Sequence, residues 1–177
     1  MIKHITAGLA VAVLSGLTAM ATAQDSAGNQ VAAKTDWSVF IDDDPKICWG
    51  VSAPKESRNT RDGRIVSVSR GDILLFVTFR PGDEVAGEVS FTGGYEFANG
   101  STVSVDVGGT TYELFTEGEW AWPANASDDA KLLTSLKRGS QAVVTGVSER
   151  SGTTTRDTFS LLGFTAAFEE AESRCTG

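Results

Sequence analysis

Two cysteines set the strongest constraint on this chain. Cys48 lies early, and Cys175 stands two residues from the C-terminus. What they can do depends on the compartment, and the first residues speak to that. Lys3 and His4 make a short basic start. Ile5 to Met20 is a 16-residue run, almost wholly apolar, and Ala21-Thr22-Ala23 offers an A-x-A cleavage site before Gln24. Regions in that order read as a secretory signal peptide over residues 1–23. The alternative, an uncleaved anchor helix, needs about 20 apolar residues. This run is shorter and carries Thr, Ser and Gly. No cysteine follows it, which argues against a lipoprotein anchor, and no later stretch is long or apolar enough to span a membrane.

An exported chain with an even cysteine count favours a disulfide. Only one intramolecular pairing exists, Cys48 with Cys175, and it would tie the chain's end to an early strand. Two free thiols or a bridge between chains are the alternatives. Closing so long a loop restricts the unfolded chain by about 4–5 kcal/mol in the entropic description, less any strain.

The mature chain, Gln24 to Gly177, has 154 residues, enough for one domain with a real core. It keeps 14 Lys and Arg against 23 Asp and Glu, a net charge of −9. Such a surface repels phosphate backbones, which argues against nucleic-acid binding and against docking on anionic lipid.

Residues 24–35 are small and polar and read as a flexible lead-in to a domain spanning 36–177. From Trp37 onward the texture is β. WSVFI, KICWGVS, RIVSVS, DILLFVTF, EVAGEVSF, TVSVDV, TTYELFT, QAVVTGVS and TRDTFSLLGF are short runs rich in Val, Ile, Phe and Thr, separated by Gly, Pro, Asn and Asp. Many short strands with regular turn signals predict a sandwich or barrel. One hairpin can be registered. Gly108-Gly109 suits a two-residue turn with positive φ. It pairs Val107 with Thr110, Val105 with Tyr112 and Val103 with Leu114, and on the other face Asp106 with Thr111 and Ser104 with Glu113. A one-residue slip would mix the apolar and polar faces, so packing and turn chemistry agree.

Two helices interrupt the strands. Ser127 is the expected N-cap of the first, with Asp128 and Asp129 in its first turn, Lys137 and Arg138 in its last, and Gly139 after it; both charge placements suit the helix dipole. Leu132, Leu133 and Leu136 form its buried stripe. The second spans about Thr165 to Arg174, with Ala167, Phe168 and Ala171 facing the core and Glu169, Glu170 and Glu172 facing water.

Chemistry-bearing constellations are few. The only histidine, His4, lies within the signal segment, so the mature chain has no Ser-His-Asp triad, Cys-His pair or His-ligated metal site. Oxidised cysteines also remove thiolate catalysis and Cys-ligated zinc. Asp42-Asp43-Asp44 could ligate calcium, but consecutive acids point apart and the spaced EF-hand loop is absent; a solvated strand end before Pro45 is the better reading. No catalytic residue, metal ligand or cofactor is assigned.

Glu117-Gly118-Glu119-Trp120-Ala121-Trp122 is the most informative loop. On a strand, Glu117 and Glu119 share a face, as do Trp120 and Trp122. Two carboxylates beside two indoles could make a sugar site, with acid and base roles. Trp at i and i+2 more often marks an edge strand burying one face, so core packing is favoured, a binding surface comes second, and glycosidase chemistry last. Gly93-Gly94-Tyr95 could bring backbone amides close to a ligand but lacks the Lys and following helix of a phosphate loop; a bulge or tight turn is the default. Asn59 to Arg64 is a turn whose two arginines could hold a carboxylate or pair with local acids.

The C-terminal third carries a resemblance. Leu133-Thr134-Ser135-Leu136-Lys137-Arg138-Gly139, then a hairpin, then Phe159-Ser160-Leu161-Leu162-Gly163-Phe164-Thr165-Ala166-Ala167 resembles the invasion-associated locus B family of alphaproteobacteria. That family's pattern is a short helix ending in K-x-G, a hairpin, and S-L-x-G-F-x-A-A before a last helix. Trp37 followed by Pro45-Lys46-Ile47-Cys48-Trp49 resembles its opening strand pair. The resemblance implies an immunoglobulin-like antiparallel β-sandwich with two short helices, one C-terminal. It also implies export to the periplasm or outer surface of a Gram-negative cell, no enzymatic activity, and an association with host-cell invasion in pathogenic relatives. Many members carry a further cysteine pair around the segment that reads here Phe115 to Trp120, and this chain has none there. The expected partner is another protein or an envelope component, met by Gly93, Gly94, Tyr95, Glu117, Glu119, Trp120 and Trp122. A carbohydrate-binding or carbohydrate-active protein using the Glu117–Trp122 loop is the alternative.

Overall fold

Period-two alternation decides which side chains meet inside this molecule. The computed structural model describes residues 28–176; the signal segment and the start of the lead-in lie outside the described residues. The strands are β1 (Gln30–Lys34), β2 (Trp37–Asp43), β3 (Lys46–Ser52), β4 (Glu56–Arg61), β5 (Arg64–Ile65), β6 (Leu74–Arg80), β7 (Val85–Thr92), β8 (Thr102–Val107), β9 (Thr110–Glu117), β10 (Trp120–Trp122), β11 (Gln141–Val147) and β12 (Thr154–Ser160). The helices are α1 (Ala126–Arg138) and α2 (Phe164–Thr176). On β6, Leu75, Val77 and Phe79 are buried while the residues between them are half-exposed, the alternation of a sheet with one dry face.

The described strands form one antiparallel sheet in the order β1-β2-β3-β6-β7-β10-β9-β8-β11-β12-β4-β5. The expected sandwich is thus a single sheet folded back on itself. Its far parts meet across the core: the Trp37 indole Nε1 donates to the Ser160 carbonyl at 3.0 Å, and Phe91 meets Phe159 edge-on at 6.1 Å between centroids. Trp37, Phe91, Phe159 and Phe164 are all nearly fully buried.

The β8–β9 hairpin takes the register expected from its glycines. Val107 faces Thr110, Val105 faces Tyr112 and Val103 faces Leu114. Gly108 and Gly109 sit at φ +61° and +88°, where a side chain would be strained.

Three expectations need correction. Residues 30–34, assigned to the flexible lead-in, are strand β1, paired along β2 with Lys34 opposite Trp37. The run RIVSVS gives a strand only at Arg64–Ile65, while the polar ESRNTR forms β4, whose pairing to β12 does not depend on an apolar face. Helix α1 is capped by Asn125, not Ser127: the Asn125 side chain accepts the Asp128 N–H at 3.1 Å, so the helix begins one residue before Ser127.

Both helices bury the stripes expected of them: Leu132, Leu133 and Leu136 on α1, and Ala167, Phe168 and Ala171 on α2. Phe164 meets Trp37 edge-on at 4.9 Å, fixing the strand-to-helix turn. Gly163 before it lies at φ +92°, and a Cβ there would stand 1.8 Å from the Lys34 carbonyl oxygen, so only glycine lets α2 start against the end of β1. One residue from its end α2 delivers Cys175 to Cys48, disulfide-bonded with Cα atoms 5.7 Å apart.

Candidate functional site

The outer face of the sheet is unusually aromatic. Alternation sends Cys48 and Gly50 inward on β3, and Trp49 outward. It does the same for Phe40 on β2, Phe76 on β6 and Phe115 on β9. Register brings these together. Phe40 lies opposite Trp49 and stacks on it at 5.5 Å; Trp122 lies opposite Phe115 and meets it edge-on at 4.8 Å; Phe76 reaches Trp120 at 5.7 Å. Trp120 is 43 % exposed and Phe115 39 %. Trp49, Phe76, Trp120 and Trp122 line an open groove of about 540 Å³, with Thr78, Ser90 and the ion-paired Arg80 and Glu88 (3.1 Å) along it.

Core packing of Trp120 and Trp122 is therefore overturned. β10 is no edge strand, since it lies between β7 and β9. Its buried residue is Ala121, fully covered, and both indoles point outward. The W-A-W alternation has two faces, and the sheet buries the small one. The paired placement of Glu117 and Glu119 on one strand is overturned too. Glu117 ends β9 opposite Trp120, and Gly118-Glu119 form the two-residue turn, with Gly118 at φ +59°. Glu119 borders a different hollow from the tryptophans, and Glu117 lines neither.

That second hollow is a polar cleft of about 700 Å³ at the β9–β10 turn, where Gly94, Tyr95 and Glu119 meet Arg61, Arg70 and Arg150. Its frame is one buried ion pair. Arg70 donates from Nη1 and Nη2 to the two Asp157 carboxylate oxygens at 2.8 and 2.7 Å, and from Nε to the Gly93 carbonyl at 2.8 Å. The Arg70 side chain is 6 % exposed and that of Asp157 fully covered. Ser57 Oγ also donates to Asp157 at 2.7 Å, and the guanidinium lies 5.1 Å from the Tyr95 ring centroid. Both charges are thus paired and hydrogen-bonded, the condition for keeping them in a core.

Gly93, Gly94 and Tyr95 serve that frame. Gly93 is buried; Gly94 sits at φ +71°, its carbonyl accepting from Gly71 N–H at 2.9 Å. The Tyr95 hydroxyl pairs with Thr155 Oγ1 at 2.6 Å, and burial holds it above the usual tyrosine range. The candidate residues thus divide between two places, with Trp120 and Trp122 on the aromatic face and Gly94, Tyr95 and Glu119 at the cleft. Sequence reading missed Arg70 and Asp157. A signal was present: in TRDTFS, Asp157 shares the inward face with Thr155 and Phe159. A carboxylate in a core position needs a cation.

A second carboxylate stands apart from both places. Asp129 on α1 accepts the Val89 N–H of β7 at 2.8 Å, and burial raises its pKa to about 6 against that bond, with Glu88 and Asp128 adding repulsion. The triple-aspartate segment ends β2 in solvent, with Lys46 Nζ 3.0 Å from Asp43. Among the described residues no three His, Cys, Asp or Glu side chains cluster as a metal site.

The chain's relationships agree with this architecture. No curated protein matches it in sequence. The crystal structure of invasion associated protein B from Bartonella henselae superposes with a TM-score of 0.56 at 14 % identity, covering 82 % of this chain and 98 % of that one, which establishes the shared fold. The family model described as invasion associated locus B (IalB) protein matches residues 37–172, from the buried Trp37 almost to the end of α2, and the chain therefore belongs to the invasion-associated locus B family.

Proposed function

We propose that this protein is an exported, non-enzymatic component of the cell envelope that binds another protein or an envelope constituent through its outer aromatic face. The observation that carries the reading is that face itself: six rings gathered on the wet side of one sheet, two of them more than a third exposed. Solvent-facing aromatic groups in contact with one another are costly to leave in water and mark interaction surfaces. Export rests on the signal segment and fits the Cys48–Cys175 bridge, which an oxidising compartment preserves. Among the described residues no helix is long and apolar enough to cross a membrane. The family name associates relatives with invasion, so a host surface is one setting for the partner.

The test uses mature oxidised protein cross-linked into envelope extract, beside a Trp120→Ala/Trp122→Ala variant of matched thermal stability. A discrete partner captured by the wild type and lost by the variant is expected. Equal capture by both removes the aromatic face from the function. Hydroxyls of Thr78 and Ser90 interleaved with rings favour a second reading, a carbohydrate platform. It predicts that soluble oligosaccharides quench tryptophan fluorescence in the wild type and not in the double variant.

A further inference from the structure

The polar cleft carries charge of both signs, in an order that the backbone fixes. Phe97 N–H donates to the Gly118 carbonyl, Ala98 N–H to that of Val147, and Glu149 N–H to that of Glu96, each at 2.9 Å. Beyond them Val147 pairs with Thr154, and Thr154 with Thr60. The lining segments therefore lie side by side: the 118–119 turn, residues 96–98, the ends of β11 and β12, then β4. Glu119 and Glu96 come from the first two, Arg150 from the turn that joins β11 to β12, and Arg61 from the end of β4. One end of the cleft is acidic and the other basic.

The basic end is preset. Arg61 donates from Nε and Nη2 to Thr153 Oγ1 at 3.2 and 2.8 Å, and Thr153 is 2 % exposed. Unlike Arg70, neither Arg61 nor Arg150 makes an ion pair among the described residues, and Glu96 and Glu119 make none either. In a chain with a large acidic excess, two arginines at one cleft without carboxylate partners present cationic charge to a ligand.

We propose that this cleft binds a small zwitterion, an amino acid or dipeptide, its carboxylate held by Arg61 and Arg150 and its ammonium drawn toward Glu96 and Glu119. Guanidinium groups match a carboxylate's two oxygens. The acidic end attracts an ammonium and repels a second negative charge, which selects against phosphate. A hollow of about 700 Å³ is of small-ligand size.

Calorimetric titration of the mature oxidised protein tests this, with alanyl-alanine, free alanine, the N-acetylated and C-amidated dipeptides, and inorganic phosphate as probes. Alanyl-alanine or alanine is expected to bind saturably, and which binds more tightly separates a dipeptide site from an amino-acid site. Blocking either terminus weakens binding about tenfold or more, and Arg150→Gln does the same. Arg150 is exposed and outside the Arg70–Asp157 frame, so that variant keeps the wild-type melting point. No saturable binding of either zwitterion, indifference to blocked termini and Arg150→Gln, or tighter binding of phosphate overturns the proposal.

Discussion

The aromatic face and the polar cleft meet at the β9–β10 turn, yet they are built by opposite means. The face is assembled from strands that lie side by side, β2, β3 and β6 on one side of β7, and β10 and β9 on the other, with rings at half-exposed or exposed positions. Any one ring can go and the sheet beneath keeps its hydrogen bonds. The cleft is assembled from segments far apart in the chain. Arg70 joins Asp157, 87 residues later, to the Gly93 carbonyl, 23 residues later, and its partners are fixed by one another. Surface built on alternation is tolerant, whereas surface built on a buried charge network stands or falls together.

The sharpest way to break this contrast is Asp157→Ala. It leaves Arg70 buried without its counter-ion, and a loss of about 3–5 kcal/mol is expected in a denaturant titration. A loss under about 1 kcal/mol would mean that Arg70 swings out to water, and the cleft would then be no more cooperative than the aromatic face.

Next in size is Gly94→Ala. A Cβ there would lie 2.6 Å from the Gly71 backbone at a φ of +71°, and about 2–3 kcal/mol of stability should be lost. Gly118, in the turn between the two surfaces, has φ +59°, but a Cβ added there would meet nothing within 4 Å. Gly118→Ala should cost only about 1 kcal/mol. Equal losses at both sites would show that conformation alone, and not the packed cleft, sets the cost at Gly94.

These surfaces were unequally legible in the sequence. The β8–β9 register was readable because Gly108-Gly109 and the segregation of Val103, Val105 and Val107 from Ser104 and Asp106 specify the same pairing. The α1 and α2 stripes were readable for the same reason. β4 was not, because ESRNTR shows no apolar period and is recruited by pairing to β12. W-A-W announced a strand, but alternation cannot say which face is dry; the neighbours β7 and β9 decide that. The Arg70–Asp157 frame joins loop to strand at long range, and only the misplaced charge of Asp157 hinted at it.

Asp129 sharpens the comparison from a third place. Asp157 is buried with a cation; Asp129 is half-buried with a single backbone N–H and two acidic neighbours. Its pKa is raised in the fold to about 6, from 3.8 in an unstructured chain, so the neutral form suits the native state. Its favourable contribution is complete below pH 3.8 and disappears as pH rises through about 6. Asp129→Asn, which keeps an acceptor for Val89, should therefore stabilise the protein at pH 7.5 by about 1 kcal/mol after allowance for solvent screening, and by nothing near pH 3.5. Thermal melts of both proteins at the two pH values measure the difference. A variant less stable at pH 7.5 would show that the ionised carboxylate gains more from its N–H donor than burial costs it.

The smallest expected effect on stability is at Trp120. It touches Phe76 from an exposed position, and Trp120→Ala should cost about 0.5 kcal/mol. The same change removes the most exposed ring of the groove, so partner capture should fall far more than stability does. That separation is what distinguishes an interaction surface from a packed one. A loss comparable to that at Asp157 would mean that the outer rings brace the sheet, and the aromatic face would then belong to the fold before it belonged to a partner.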